Sequence, residues 1–421
     1  MSRTLETTQS GPEKTILVGV ELRRRAKQSF TAEESLDELR TLAGSAGAEI
    51  VDVYTQIRDV ADSAHMIGEG KLDELAAAVE ATQADLVVFD NELTPTQLRN
   101  IEKRLDTRVV DRTQLILDIF AKRARTREGQ LQVELAQLQY LLPRLTGKGV
   151  AMSRLGGGIG TRGPGETKLE VDRRKIGLRI SKIEKSLENV RGTRLIQRSQ
   201  RQSVPLATVA LVGYTNAGKS TLFNRLTQAG VIADARMFAT LDPTVRAVQL
   251  PSRRKVLLSD TVGFIRNLPT TLVRAFRATL EEVVEAALLV HVVDSTAEAA
   301  QQQMAHVQAV LEEIKAHETP QILVWNKQDR EGSAQLPEGA VGVSAMTGVG
   351  IEQLLERIDD GLTLDPVAPC VLRIPASDGG ALNLLHETSR VLSKTYEDEM
   401  LVIEAVAPES ARRRLAEFLV G

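Results

Sequence analysis

The segment from Gly213 to Ser220 constrains the fold of this chain more than any other part of the sequence. It reads GYTNAGKS, which fits the pattern G-x-x-x-x-G-K-[ST], and it lies between an apolar run, LATVALVG, and a helix-like run, TLFNRLT. Such a loop works between a strand and a helix, because its backbone N–H groups and the helix N-terminus must converge on phosphate oxygens. The segment therefore predicts a phosphate loop in an α/β domain, with Lys219 at the β- and γ-phosphates and the Ser220 hydroxyl on Mg²⁺.

A second motif, Asp260-Thr-Val-Gly263, follows the apolar run KVLLS about 40 residues beyond the phosphate loop. A carboxylate at such a strand end can hold the water shell of Mg²⁺, and the N–H of Gly263 can reach the γ-phosphate. On its own, Asp-x-x-Gly also occurs in ordinary strand-to-turn connections. Its position relative to the phosphate loop is what favours a nucleotide site.

A third motif, Asn326-Lys-Gln-Asp329, ends the run QILVW and predicts that the base is guanine. The Asp329 carboxylate can accept hydrogen bonds from guanine N1–H and the 2-amino group, and adenine has neither donor. Adenine would leave a partly buried carboxylate unpaired, at a cost of about 1 to 3 kcal/mol or more. At the end of the next predicted strand, Ser344-Ala345-Met346 would add backbone N–H groups near guanine O6.

These motifs resemble those of translation-factor-class GTPases in order and spacing. The resemblance implies that Thr240, within FATLDPT, completes the Mg²⁺ shell when GTP is bound, with Thr244 as the alternative. The metal ligands would then be Ser220 and Thr240, with Asp260 acting through water. The expected residues around GTP are Gly213, Tyr214, Thr215, Asn216, Ala217, Gly218, Lys219, Ser220, Phe238, Ala239, Thr240, Leu241, Asp242, Asp260, Thr261, Val262, Gly263, Asn326, Lys327, Gln328, Asp329, Ser344, Ala345 and Met346.

Phe264 stands directly after Gly263, where Ras-like enzymes carry the Gln that orients the attacking water. A phenyl ring cannot orient water. No catalytic residue is therefore assigned; Lys219 and Gly263 are expected to stabilise the γ-phosphate. We expect slow hydrolysis by the protein alone and stimulation by a partner, an effect that can reach about 10³- to 10⁵-fold in such enzymes.

At 421 residues the chain exceeds the size of one hydrophobic core. The alternation of apolar runs and helical patterns predicts a multidomain α/β protein: an N-terminal parallel α/β domain (1–112), an antiparallel helical hairpin (113–203), a GTPase domain with a doubly wound sheet (204–365) and a small α+β domain (366–421). In the hairpin we expect one long helix over 113–142 and a second from about Thr167, packed through apolar stripes. The C-terminal domain is expected to hold a helix around Asn383 to Tyr396 and a last helix from Glu409.

Between the two predicted hairpin helices lies GKGVAMSRLGGGIGTRGPGETK, which excludes a regular helix. Residues 144–204 hold 15 Lys and Arg against 5 Asp and Glu, although the whole chain has a net charge of −3. A flexible connector is one interpretation of the glycine-rich apex. The concentrated positive charge favours contact with the phosphates of folded RNA instead. The expected RNA contacts are Arg154, Gly156, Gly157, Gly158, Arg162, Gly163, Gly165, Lys168, Arg173 and Arg174.

The order of domains and motifs closely resembles the HflX family of ribosome-associated GTPases. The family-specific part is GGGIGTRGPGETKLE followed by DRR, directly upstream of GYTNAGKS, FATLDPT, DTVGF and NKQD. The resemblance implies binding to the large ribosomal subunit, GTP hydrolysis stimulated by that subunit, and separation of stalled or idle ribosomes into subunits under stress. Two alternatives are a GTP-dependent factor for large-subunit assembly and a switch with a protein effector. ATP binding by the N-terminal region is also a family property, but no adenine-selective motif stands there to carry it over.

The remaining expectations concern location and association. The content of 42% hydrophobic and 26% charged residues is that of a globular protein, and the first apolar run, Thr15 to Val20, is too short to span a membrane. The single cysteine, Cys370, offers neither an internal disulfide nor a zinc cluster. We therefore expect a cytoplasmic monomer that uses GTP, GDP and Mg²⁺.

Overall fold

The structure is a computed structural model that describes residues 11–23, 32–145, 168–201, 206–227, 237–238, 240, 242–266, 277–362, 365–397 and 399–420. The chain divides into two compact units: Met1–Arg191 with Arg266–Ala275, and Gly192–Ile265 with Phe276–Gly421. In the described part of the chain no helix has the length and apolar character to cross a membrane. The same part contains no group of three or more His, Cys, Asp or Glu side chains placed to hold a metal ion.

The first unit begins with a four-stranded parallel sheet of order β2-β1-β3-β4. Its strands are β1 (Glu13–Leu22), β2 (Ala48–Arg58), β3 (Leu86–Phe89) and β4 (Arg108–Asp111), and its helices are α1 (Ala32–Ala46), α2 (Glu69–Thr82) and α3 (Pro95–Leu105). At the start of α3, Thr94 and Gln97 form a reciprocal capping box with Pro95 in the first turn. The alternation of strands and helices that the sequence predicts is found here.

Three further helices follow: α4 (Arg112–Arg123), α5 (Arg127–Leu141) and α6 (Lys168–Arg201). The prediction of one long helix over 113–142 is wrong, because Ala124 is extended and the Thr126 hydroxyl accepts a hydrogen bond from Gly129 N, which starts a new helix. The start of α6 agrees with the sequence. Helices α5 and α6 pack through the predicted stripe, with Leu131, Ile183 and Leu187 buried together.

The second unit contains a six-stranded sheet of order β10-β9-β8-β5-β7-β6, in which only β6 is antiparallel to its neighbour. The strands are β5 (Thr208–Gly213), β6 (Thr244–Gln249), β7 (Lys255–Asp260), β8 (Leu288–Asp294), β9 (Gln321–Asn326) and β10 (Val341–Gly342). The helices are α7 (Lys219–Thr227), α8 (Arg277–Val284), α9 (Ala300–Glu313) and α10 (Ile351–Gly361). The carboxyl ends of β5, β7 and β9 meet at one edge, where ligands bind in doubly wound sheets.

The antiparallel hairpin of β6 and β7 has one end at this edge and its turn far from it. Thr244 pairs with Asp260 at one end, and Gln249 pairs with Lys255 at the other. Near the turn, the buried Asp359 carboxylate of α10 accepts hydrogen bonds from Ser252 N at 2.7 Å and from the Arg254 guanidinium at 2.7 Å. The turn is therefore fixed to the end of α10 by a buried ion pair.

The chain ends in an antiparallel sheet of order β11-β13-β12. Its elements are β11 (Val367–Pro375), α11 (Gly379–Thr388), β12 (Arg390–Glu397), β13 (Met400–Pro408) and α12 (Glu409–Arg414). The prediction of a helix from Asn383 to Tyr396 is wrong beyond Thr388: the following RVLSKTYE holds β-branched and aromatic residues and pairs with β13. The β6–β7 turn reaches this domain, because Gln249 and Arg253 donate to backbone carbonyls of Glu387 and His386.

A buried charge network holds the sheet of the first unit to its helices. Arg112, 3% exposed at its side chain, lies 2.5 Å from Glu38 and 2.7 Å from Asp90. Arg266 lies 3.6 Å from the same Glu38 carboxylate. Removing one partner of such a network leaves an uncompensated buried charge.

We expect Arg112→Met to lower the free energy of unfolding of this unit by about 3 to 5 kcal/mol, because two buried carboxylates lose their main cation. Arg108→Met, on the preceding strand β4, removes an exposed cation that lies 3.4 Å from Glu13 and 3.6 Å from Asp118 and should cost less than about 1 kcal/mol. Denaturation followed by hydrogen exchange of β1 to β4 separates the two variants. Equal losses would contradict the network's importance.

Candidate nucleotide-binding site

A cavity of about 460 Å³ opens where β5, β7 and β9 end, and residues from all five predicted motifs line it together. Its walls are Thr215, Asn216, Gly218, Lys219, Ser220, Thr221, Phe238, Thr240, Thr261, Gly263, Asn326, Lys327, Asp329, Arg330, Ala345 and Met346. Five predicted residues belong to these motifs but do not line the cavity: Tyr214, Ala217, Asp260, Val262 and Gln328. Ala239 and Leu241 lie outside the described residues, and Asp242, before β6, does not line the cavity.

Two glycines shape the phosphate loop. Gly213 has φ +146°, and a Cβ there would lie 2.2 Å from the carbonyl oxygen of Val292 on β8. Gly218 has φ +94°, and a Cβ there would lie 2.2 Å from Nδ2 of Asn326. Both positions therefore require glycine for backbone conformation and for close packing.

Lys219 begins α7 and is buried in the loop. Its Nζ donates to the carbonyl oxygens of Gly213 at 3.1 Å and Tyr214 at 2.8 Å. Burial lowers the pKa of Lys219 to about 8, against an opposing effect of the Asp260 carboxylate. Phosphate oxygens would favour the charged ammonium, so the loop is built to receive an anion.

Three oxygen-bearing side chains meet at the predicted metal site. The Asp260 Oδ2 atom accepts hydrogen bonds from Ser220 Oγ at 2.8 Å and Thr240 Oγ1 at 2.7 Å, and the two hydroxyls are 2.8 Å apart. The structure thus brings Thr240 to this cluster, whereas Thr244 starts β6. Burial raises the pKa of Asp260, and its Oδ1 is buried without a hydrogen-bond partner among the described residues. A carboxylate and two hydroxyls fit a hard cation such as Mg²⁺.

The residue that replaces the usual Gln is tied to the phosphate loop through its backbone. Phe264 N donates to Gly213 O at 3.1 Å, and Thr215 N donates to Phe264 O at 2.8 Å. The phenyl ring is buried, and Phe264 is not among the residues that line the cavity. Its side chain therefore offers no polar group to a nucleotide or to water in the cavity.

The base end of the cavity is organised by Asn326. Its Nδ2 donates to Ala217 O at 2.8 Å, and its Oδ1 accepts from Ala345 N at 3.0 Å. The N–H of Ala345 is thus already donated within the protein, so a contact with guanine O6 would have to share or replace that bond. A hydrogen bond with the Ser344 side chain is the largest cause that lowers the pKa of Asp329, which keeps this carboxylate ionised for donors on the base.

Two residues that the sequence analysis does not name hold parts of the candidate site: the loop of Ser344 to Met346, called the base loop below, and Lys327. Arg225 on α7 donates to Ala345 O at 3.2 Å and also to Met346 O. Asp294 at the end of β8 pairs with Lys327 at 2.5 Å. Arg225 carries no local signal in the sequence, whereas Asp294 could have been found as a carboxylate at a strand end.

The predicted RNA contacts fall largely outside the described residues. Those outside are Arg154, Gly156, Gly157, Gly158, Arg162, Gly163 and Gly165. Lys168 is the first residue of α6. Arg173 and Arg174 are exposed on α6, and Arg173 donates to Leu145 O at 3.1 Å.

The second unit also contains a buried histidine on β8. Burial lowers the pKa of His291 to about 4, and the charge of Lys219 adds to the shift. The unfolded chain protonates this group near pH 6.5, so stability that is present above pH 6.5 is lost as the pH falls toward 4.

We expect Asp329→Asn to weaken GTP binding by about a hundredfold or more, because two hydrogen bonds to a charged acceptor are lost. Xanthosine triphosphate should bind this variant better than GTP, since xanthine carries a C2 carbonyl that an Asn amide can donate to. Glu331→Gln removes the same charge two residues away and should change neither affinity. Fluorescence titrations with both nucleotides measure this; undiminished GTP binding by Asp329→Asn would refute the assignment.

We expect His291→Gln to flatten the loss of unfolding free energy between pH 6.5 and pH 4, a loss of up to about 3 kcal/mol for this group. Trp325, the only tryptophan, is buried on β9, so its fluorescence follows unfolding of this sheet. The exposed His317→Gln serves as the control. An unchanged acid profile in His291→Gln would contradict the prediction.

Comparisons with known proteins match the chain along most of its length. Family profiles described as GTP-binding GTPase N-terminal, GTP-binding GTPase Middle Region and 50S ribosome-binding GTPase match residues 33–121, 123–201 and 208–327. The GTPase HflX of Caldanaerobacter subterraneus subsp. tengcongensis is 49% identical, over 92% of this chain and 91% of that protein. The GTPase HflX of Escherichia coli K12 is 46% identical, over 87% and 88%.

Among solved structures, a GTP-binding protein from Sulfolobus solfataricus in complex with GDP is 24% identical, with a TM-score of 0.45, over 83% of this chain and 98% of that one. The two curated relatives exceed 45% identity over most of their own length and of this chain. Since the two relatives named GTPase HflX share this degree of identity over most of the chain, the chain belongs to the HflX family and is a GTPase.

Proposed function

We propose that this GTPase binds the large ribosomal subunit, hydrolyses GTP faster when bound to it, and separates stalled or idle ribosomes into subunits. The observation that carries the proposal is an exposed basic stripe on α6, next to the glycine-rich segment. A family profile described as 50S ribosome-binding GTPase matches the adjoining domain and supports the same partner.

The basic stripe consists of Lys175, Arg179, Lys182 and Lys185, spaced 4, 3 and 3 residues apart, so all four lie toward one side of the helix. All are exposed, while Ile176 and Ile183 on the neighbouring face of the helix are buried. Arg179 is partly neutralised by Glu134, which accepts from its guanidinium at 2.6 and 2.8 Å. The lysines are long, mobile cations of the type that contacts phosphates without reading sequence.

The proposed nucleotide cycle uses the cavity of the GTPase domain, called the G domain below. GTP would occupy the phosphate loop and the guanine end, and Mg²⁺ would be held by Ser220 and Thr240, with Asp260 acting through water. When bound, the metal neutralises charge on the β- and γ-phosphates. The γ-phosphate would order the segment around Thr240 through these contacts. The ordered segment would favour the ribosome-bound state until GTP is hydrolysed.

A partner would be needed for fast hydrolysis because Phe264 stands where Ras-like enzymes carry the Gln that orients water. Phe264 is buried and anchored to the loop by two backbone hydrogen bonds. Ribosomal binding would rearrange this segment or supply the missing polar group.

We expect purified large subunits to raise GTP turnover strongly, and Lys175→Glu/Lys182→Glu to abolish most of that increase while leaving turnover without ribosomes unchanged. The double variant should also lower the slope of log affinity against log salt by about two. Lys103→Glu/Lys255→Glu reverses two exposed charges elsewhere and serves as the matched control. Equal stimulation of all three proteins would contradict the role of α6.

Sucrose gradients of intact ribosomes with protein and GTP test the splitting step. Dissociation into subunits that needs GTP supports it. Stimulation by large subunits without dissociation would favour a large-subunit assembly factor instead. Binding that is absent or insensitive to salt would favour a switch with a protein effector.

A further inference from the structure

Two side chains from outside the base loop hold its peptide groups in place. The Asn326 Oδ1 atom accepts a hydrogen bond from Ala345 N at 3.0 Å. Arg225, on α7, donates from Nε to Ala345 O at 3.2 Å and from a terminal nitrogen to Met346 O. One guanidinium therefore binds two successive carbonyl groups of the base loop.

The turn that follows the base loop brings its backbone against the same guanidinium. Gly348 has φ +96°, and a Cβ there would lie 3.8 Å from Arg225 Cζ. The N–H of Gly348 donates to Ser344 O at 2.8 Å, and the N–H of Thr347 donates to Ser344 Oγ at 3.1 Å. The loop thus folds back on itself, with Arg225 beside the folded backbone.

These bonds determine which N–H group of the base loop is left for a ligand. The N–H of Ala345 is donated to Asn326, and the N–H of Thr347 is donated to Ser344. Among the described residues, none accepts from the N–H of Met346. Because Met346 lines the nucleotide cavity, its N–H is the donor that the loop can offer there.

The contact with Arg225 also sets the direction of that N–H. The peptide group between Ala345 and Met346 is trans, so its C=O and N–H point to opposite sides. Since Arg225 holds the C=O, the N–H is directed away from the guanidinium. Rotation of this peptide plane would break the bond from Arg225 Nε.

We propose that Arg225 is a positioning residue that orients the Met346 N–H toward O6 of a bound guanine nucleotide. Arg225 is exposed and does not line the cavity, so it acts through the peptide group and not by touching the base. A 6-oxo purine gains a hydrogen bond at this point, whereas adenine presents an amino group there. The proposal rests on guanine binding by the G domain and not on the ribosomal role, so the two can fail separately.

The test compares the affinities of full-length protein for GDP, 6-thio-GDP and IDP, each with Mg²⁺, by calorimetry. In 6-thio-GDP a sulfur atom, which is a weak acceptor, replaces O6, whereas IDP keeps O6 and lacks the 2-amino group. Wild type should prefer GDP to 6-thio-GDP by about threefold to tenfold, the value of one hydrogen bond.

Arg225→Met keeps an apolar stem and removes the donors. We expect its affinity for GDP to fall by about threefold to tenfold and its affinity for 6-thio-GDP to change little, so that the ratio of the two approaches one. Retained binding of 6-thio-GDP also shows that the variant is folded. The ratio of GDP to IDP affinity, which reports on Asp329, should equal that of wild type.

Two further variants separate orientation of the peptide from general support of the fold. Arg225→Lys keeps a cationic donor and should regain preference for GDP over 6-thio-GDP. Arg357→Met, on α10, removes an exposed guanidinium that donates to Gly339 O at 3.3 Å and should leave all three affinities unchanged.

An equal fall in affinity for all three nucleotides in Arg225→Met would show a merely structural role and overturn the proposal. A ratio of GDP to 6-thio-GDP affinity that stays at the wild-type value would overturn it as well. Wild-type protein that prefers GDP to neither analogue would refute guanine recognition by this cavity, and the role of Arg225 with it.

Discussion

The side chain of Asn326 joins the two halves of the nucleotide site. Its side-chain amide donates to the carbonyl oxygen of Ala217 in the phosphate loop and accepts from the N–H of Ala345 in the base loop. Asn326 is almost fully buried. Arg225 reinforces the link from α7 by donating to the carbonyl of Ala345. The predicted phosphate loop and the predicted base loop are therefore one hydrogen-bonded assembly. Its geometry depends on Gly218, since any Cβ there would collide with the Asn326 amide.

The candidate site contains buried polar and charged groups whose hydrogen-bonding or charge partners are incomplete. Lys219 is desolvated enough to lower its pKa, Asp260 is desolvated enough to raise its own, and Asp260 Oδ1 lacks a partner among the described residues. Each group is costly in the nucleotide-free protein and becomes favourable when a phosphate or cation arrives. The domain gives up stability in exchange for a preformed site, a trade-off frequent in binding proteins.

The sequence was informative where chemistry is local and less so where it depends on partners distant in the chain. The phosphate-loop pattern needs two glycines, a lysine and a helix start within eight residues, so GYTNAGKS could be predicted from one segment. The break before α5 depends on a single cap at Thr126, and β12 depends on pairing with β13, so periodicity alone misplaced both. The sequence analysis assigns no strand to TVRAVQ (β6), three of whose six residues are exposed, so its apolar pattern is weak. Arg225 could not be assigned because its role exists only after folding brings it to Ala345.

The β6–β7 hairpin has a mechanical consequence for the G domain. Its six paired positions give it a length of about 20 Å, with Asp260 at one end and a turn locked to Asp359 at the other. The turn also contacts α11 through Gln249. The hairpin therefore connects Asp260 of the predicted metal site with the C-terminal domain, so the two are joined by one continuous pair of strands.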